Sequence, residues 1–360
     1  MSLKVGNIEV FMGPHTLGAP DNLEQAIVSF IDDARKTLDI AIQELESQSI
    51  AEAIVRARQR GVRVRMVLEL DYLMAEKAAK DPFNKQETEK NDTNRELINA
   101  LWRAKVDART DYNPAIFHQK FMIRDVRGPN PALLTGSTNF TATGTHKNLN
   151  HVVTFKGKTM ADVYTEEFEE IWSGTFGVKR ERHDKHPSER RVSGVCMKTV
   201  FAPDHMPEME IMKQMLKAKL RIDFAIFTFA QSSGIDDTMA ALARGGIKVR
   251  GIADARQGNQ KWAATHTLPR AGVDFYLASR GYNRGLGKLH HKLMVIDEQV
   301  LVIGSFNYTN PANMLNDENI IVMGNLEETR PDSIEKQKKL GKFALQEIDR
   351  MINEFGVRLE

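Results

Sequence analysis

Two stretches decide how this chain is read: AIFHQKFMIRDVRGPNPALLTGSTNF, residues 115–140, and LGKLHHKLMVIDEQVLVIGSFNY, residues 286–308. Each holds a histidine, a lysine two residues on, an aspartate seven after the histidine, and then a Gly-Ser-x-Asn turn. In the first copy these are His118, Lys120, Asp125, Gly136, Ser137 and Asn139; in the second, His290, Lys292, Asp297, Gly304, Ser305 and Asn307. Residues two apart on a strand share a face, so each histidine and its lysine project into one cavity. The apolar runs Phe121-Met122-Ile123 and Leu293-Met294-Val295-Ile296 read as the strands that carry them.

Outward from these stretches the chain repeats itself. Ile8-Glu9-Val10-Phe11 is matched by Thr199-Val200-Phe201, and Leu38-Asp39-Ile40-Ala41-Ile42 by Ile222-Asp223-Phe224-Ala225-Ile226. Helical patterns at 50–60 and 235–244 end at Gly61 and at Gly245-Gly246, with strands expected next at 62–68 and 247–253. Alternating strand and helix predicts an α/β fold of two duplicated lobes. Each lobe is expected to be a mostly parallel mixed sheet flanked by helices, with antiparallel strands possible near the C-terminal end of each half. The expected boundaries are a lobe over 1–177, a basic linker over 178–195, and a lobe over 196–360. The irregular stretch 75–94 reads as a solvated inserted loop.

Composition excludes little by itself. Hydrophobic residues make up 41% and charged residues 27%, which suits a packed globular protein, and 50 basic against 48 acidic residues leave a net charge of only +2. Gross charge therefore does not mark a polyanionic partner. The apolar run at 222–230 is too short to span a bilayer, the first residues show no signal-peptide pattern, and one cysteine, Cys196, rules out an internal disulfide. A cytoplasmic protein is expected.

The doubled pattern resembles the phospholipase D superfamily, whose signature is H-x-K-x4-D followed by G-S-x-N. The resemblance implies a pseudo-two-fold molecule with one active site at the lobe interface. It also implies a metal-independent phosphodiester reaction without cofactor, in which one histidine attacks phosphorus and the other acts as acid and then base. Lys120 and Lys292, with Asn139, Asn307 and the substrate-contacting serines Ser137 and Ser305, would hold the phosphoryl oxygens. Asp125, Asp297, Gly136 and Gly304 would be structural. An acidic residue about eleven positions after the asparagine is implied to orient the histidine of its own half. Glu318 occupies that place in the second half and Asn150 in the first. On that reading Glu318 backs His290 as acid and base, leaving His118 as nucleophile.

The sequence leaves the substrate to the surroundings of the site. Basic residues near the motifs, Arg124, Lys147, Arg280, Arg284 and Lys288, favour a nuclease acting on nucleic acid, DNA foremost. The alternatives are a phospholipase or phosphatidyltransferase, which calls for an exposed apolar rim, and a non-catalytic nucleic-acid-binding scaffold. With both motif copies in one chain, a monomer suffices for the site and a dimer is optional.

Overall fold

The computed structural model describes all residues except 79, 82–88 and 180–187. Among the described residues the strands form two nine-stranded mixed sheets. The first runs in the order Leu3–Val5, Ile8–Gly13, Asn148–Lys156, Ala132–Gly136, Lys120–Arg124, Thr37–Ile42, Arg63–Leu68, Asp107–Thr110. Its ninth strand, Lys288–Leu289, comes from the second half and pairs parallel with Asn148–Lys156. The second sheet repeats the central order: Asp274–Leu277, Lys248–Ala253, Arg221–Ile226, Lys292–Ile296, Val300–Gly304, Glu318–Met323, Val195–Ala202.

Two lobes with mixed sheets are thus present, but the parallel share is smaller than the sequence suggested. Among the described strands, parallel pairing within each half is confined to Thr37–Ile42, Arg63–Leu68 and Asp107–Thr110, and to their counterparts at 221–226, 248–253 and 274–277. The motif strands pair antiparallel, because the short loop between Lys120–Arg124 and Ala132–Gly136 allows only a hairpin, whereas a parallel pair needs a long crossover. The linker is also shorter than expected: Arg190–Val192 already forms a hairpin with Val195–Ala202 in the second sheet. Residues 180–187 of the assigned linker, and 79 and 82–88 of the assigned loop, lie outside the described residues.

Strand alternation sorts each motif strand between two cores. Phe121 and Ile123 point into a central core shared by both lobes, whose middle layer is helices Lys158–Ser173 and Pro331–Phe355. Met122 points into the outer core of the first lobe, under helices Leu23–Asp32, Gln48–Gln59 and Asp92–Arg103. Leu293 and Val295 against Met294 and Ile296 repeat this division. His118 and Lys120 share the parity of Met122, so Gln119, between them, faces the central layer.

Two glycines have no substitute. Gly136 and Gly304 have φ of +153° and +152°, and a Cβ there would sit 2.3 Å from the carbonyl oxygen of His151 and 2.1 Å from that of Asn319. That close approach lets Ser137 N and Ser305 N donate to those same carbonyls, at 3.1 and 3.0 Å.

Candidate active site

Each motif histidine is placed by the opposite lobe. His118 N donates to Asp317 O, and Asp317 N to Ile116 O, both at 3.0 Å. The second lobe's equivalent is His290 N donating to Leu149 O at 2.9 Å, beside the parallel pairing of Lys288 and Leu289 with Asn148 and Leu149. These backbone bridges bring His118, His290, Asn139 and Asn307 to the wall of one cavity of about 450 Å³. Lys120 and Lys292, expected to share that cavity, are instead buried and not among its lining residues; their ammonium groups donate to His118 O at 2.8 Å and His290 O at 2.9 Å. Lys120 also reaches Gln43 Oε1 at 3.0 Å, and Lys292 lies over the ring of Phe227, 5.2 Å from its centroid.

The bridges also decide which residue backs which histidine, and here the expected pairing is reversed. Glu318 Oε2 lies 2.7 Å from Nδ1 of His118, not of His290. Asn150 Oδ1 is 2.9 Å from Nδ1 of His290, which also faces Ser137 O at 3.1 Å. Because each parallel bridge aligns a histidine with the strand following the other lobe's Gly-Ser turn, orientation is exchanged across the interface.

Ser137 and Ser305 are not positioned to contact substrate. Both are fully buried; Ser305 Oγ donates to Glu318 Oε2 at 2.6 Å and Ser137 Oγ to Asn150 Oδ1 at 2.8 Å, while each accepts a backbone N–H. They fix the groups that fix the histidines. Since Asn150 Nδ2 donates to Gly144 O, its Oδ1 faces His290, and Nδ1 of His290 carries the hydrogen.

Asp125 and Asp297 do not reach the cavity. Asp125 accepts from the backbone N–H groups of Arg35, Lys36 and Thr37, and Asp297 from those of Lys219, Leu220 and Arg221. Each ties the end of a motif strand to the turn preceding its neighbour. Of the five basic residues named from sequence, only Lys288 lines the cavity; Arg124 is buried against Phe30 and ion-paired with Asp33 at 2.9 Å.

Gln43, Glu44, Phe227 and Thr228 are among the lining groups that carried no motif signal. Gln43 and Glu44 directly follow the strand Thr37–Ile42, and Phe227 and Thr228 occupy the same places after Arg221–Ile226. Only that equivalence could have pointed to them. Asn139 Nδ2 donates to Glu44 Oε2 at 3.0 Å, whereas Asn307 Oδ1 accepts from Thr228 N at 3.3 Å, so the two asparagines are held differently. Tyr72 and Lys90 complete that side, Lys90 from the end of the assigned loop.

Burial dominates the electrostatics. It holds His118 and His290 well below the ordinary imidazole value, with the two lysines adding to the effect. It pushes Lys120 down to about 7 and Lys292 well below the ordinary amine value, the latter aided by Lys120. Burial drives Glu318 up to about 8 and, with Glu46 beside it, Glu44 up to about 7. Glu318 opposes the desolvation of both ammonium groups by favouring their charged forms.

A family model for "Cardiolipin synthase, PLD-like domain" matches residues 27–172 and again 211–331. The mitochondrial cardiolipin hydrolase of Homo sapiens is 30% identical over 159 residues, 44% of this chain and 53% of that protein. A phospholipase D of Rickettsia felis is 28% identical over 145 residues, 40% of this chain and 62% of that protein. The chain thus spans about half to three-fifths of the length of these curated relatives. The solved structure of phosphatidylserine synthase from Haemophilus influenzae Rd KW20 superposes over 100% of this chain and 88% of its own, with a TM-score of 0.67 at 13% identity, a likeness of fold. With the family model matching both halves and each half carrying its own motif, the chain belongs to the phospholipase D superfamily.

Proposed function

We propose that this protein is a phospholipase D-type phosphodiesterase acting on lipid headgroup diesters, the alternative weighed from sequence, in preference to a nuclease. The observation that carries the phosphodiesterase reading is the convergence of His118 and His290, from opposite lobes, on one cavity, with a buried lysine bonded to the carbonyl of each. With each Nδ1 engaged, the Nε2 atoms are the nitrogens left for chemistry. His118 Nε2 attacks phosphorus while the bond to the headgroup oxygen breaks and that oxygen takes a proton from His290. His290 then removes a proton from water or an acceptor alcohol, the new P–O bond forms, and the P–N bond breaks to free His118. Glu318 behind His118 stabilises the positive phosphoimidazole, which favours His118 as nucleophile. The amide behind His290 leaves it the weaker base and better proton donor.

Three features support a lipid. The named relatives act on phospholipids or are called phospholipase D. Ile116, which lines the cavity, is 44% exposed, and Leu315, between the lining residues Pro311 and Asn316, is 43% exposed, supplying an apolar rim. Glu44 puts a carboxyl group on the cavity wall that, once ionised above about pH 7, repels the second phosphate of a polyanion and accepts hydrogen bonds from an amine headgroup. Released headgroup from phosphatidylethanolamine or phosphatidylcholine vesicles, measured in EDTA beside single- and double-stranded DNA, tests this. Headgroup release that disappears in His118→Ala and in His290→Ala is expected. DNA cleavage without headgroup release would return the nuclease reading.

A further inference from the structure

Behind His290, two fully buried histidines from different lobes meet. His151 and His291 stack with ring centroids 5.4 Å apart and planes 13° apart, and their Nδ1 atoms are separated by 3.1 Å. His151 is the residue after Asn150, and His291 the residue after His290. Two consecutive residues of the strand Asn148–Lys156 are therefore joined to two from the other lobe that lie between the strands Lys288–Leu289 and Lys292–Ile296. Asn150–His290 pair on the cavity face and His151–His291 on the face behind it, closing a loop.

That loop includes the Gly-Ser turn. The backbone N–H of His151 donates to Ser137 Oγ at 3.1 Å, its carbonyl accepts from Ser137 N at 3.1 Å and from Thr138 Oγ1 at 2.9 Å, and its Nδ1 lies 3.3 Å from Ser137 Oγ. Ser137 in turn supplies one acceptor of His290 Nδ1, its own carbonyl, and its hydroxyl donates to the other, Asn150 Oδ1. On the far side, His291 Nε2 lies 3.8 Å from Glu347. Arg350 holds Glu347 with two bonds of 2.6 and 2.8 Å and reaches into the first lobe to donate to Leu17 O at 2.7 Å. The charged groups facing the pair are Glu347, Arg350 and Lys292.

A single hydrogen must lie between the two Nδ1 atoms. With it on His151, His291 carries its own hydrogen on Nε2, on the side of Glu347, 3.8 Å away. The pseudo-symmetric position behind His118 does the same work with amides: Asn319 Nδ2 donates to Gln119 Oε1 at 2.7 Å. The pattern is thus repeated in both halves, with imidazoles on one side only.

We propose that His151 and His291 are positioning residues for His290: their cross-lobe bond fixes the Ser137–Asn150 acceptors and so keeps the hydrogen of His290 on Nδ1 and its Nε2 available. The inference rests on the proposed roles of His118 and His290, so His118→Ala and His290→Ala accompany the test. Turnover of bis(p-nitrophenyl) phosphate by the full chain is measured across about pH 5 to 9. In His151→Ala, kcat falls about tenfold or more with KM within about twofold, and the pH profile changes shape. The double variant His151→Asn/His291→Gln, which copies the amide pair, recovers to within about threefold of wild type. An unchanged kcat and pH profile in His151→Ala, or a double variant no better than the single, overturns the proposal.

Should His151→Ala not fold, nitrogen-15 NMR of the wild-type imidazoles decides. His290 is expected as the Nδ1–H form and to change at the pH where the His151 and His291 signals move; a His290 signal indifferent to their titration overturns the proposal. Retained turnover in His118→Ala or His290→Ala would defeat the catalytic reading instead, an outcome distinct from silent pair variants.

Discussion

Replacing Glu318 by glutamine isolates the charge behind His118 while keeping its shape. Asn150 shows that an amide oxygen can accept both a serine hydroxyl and an imidazole N–H in the equivalent place. A glutamine at 318 can therefore still accept from Ser305 and His118, and what is lost is the negative charge 2.7 Å from Nδ1. At about 4–5 Å from the charge developing on the phosphoimidazole, with an effective dielectric near 20, that charge contributes about 3–4 kcal/mol. The corresponding loss in kcat is about 150- to 1,000-fold. Burial raises Glu318 to about 8, so the wild-type kcat/KM should rise with pH up to that value, as ionisation leaves His118 with its hydrogen on Nδ1. Glu318→Gln should lose this limb.

The same residue carries a stability signature of known sign. Between the ordinary carboxyl value of 4.5 and about 8, the unfolded chain ionises Glu318 and the folded chain does not, so wild-type stability falls as pH rises through that window. Glu318→Gln removes this loss and should be more thermostable than wild type at pH 8 while nearly inactive. Turnover of bis(p-nitrophenyl) phosphate and thermal melts over the same pH range make the assay. A kcat within about threefold of wild type above pH 8, with the ascending limb intact, would refute the role given to Glu318.

Asn150→Asp places a carboxylate behind His290 as well, and the imidazole should then hold its proton to higher pH, read as an upward shift of the descending limb of kcat. Gly304→Ala drives a Cβ to 2.1 Å from Asn319 O and should cost about 2–4 kcal/mol in urea denaturation; a loss below about 0.5 kcal/mol would show that the turn can relax. Lys120→Met should stabilise the anion-free protein. Burial lowers Lys120 from 10.5 to about 7, so its cost is greatest at or below pH 7 and fades toward 10.5, and the gain in melting temperature should shrink over that range.

His118, Lys120, His290 and Lys292 were legible because strand periodicity turns a spacing of two into a shared face, and because the whole pattern occurs twice. The exchange of Glu318 and Asn150 between lobes was not, since it depends on Phe117 bridging Asp317 and Leu289 pairing with Leu149 across the interface. Local sequence fixes neither contact. The serines were assigned to substrate because the resemblance implied that they hold the phosphoryl oxygens, but the tight approach at Gly136 and Gly304 turns them inward. The sheets proved more antiparallel than expected because apolar strands buried on both faces look alike in either direction. Glu44 and Thr228 stand just beyond strands that were recognised, and single residues in such places carry no pattern of their own.

The central claim, that two lobes form one site in which His118 carries the phosphoryl group, is tested most directly by trapping the intermediate. A His290→Asn variant, unable to deprotonate water, is mixed with bis(p-nitrophenyl) phosphate, quenched in base, and mapped by peptide mass spectrometry. The account predicts a phosphoryl ester adduct on His118, absent from His118→Ala. An adduct on another residue, or steady turnover by His118→Ala without any adduct, would contradict it.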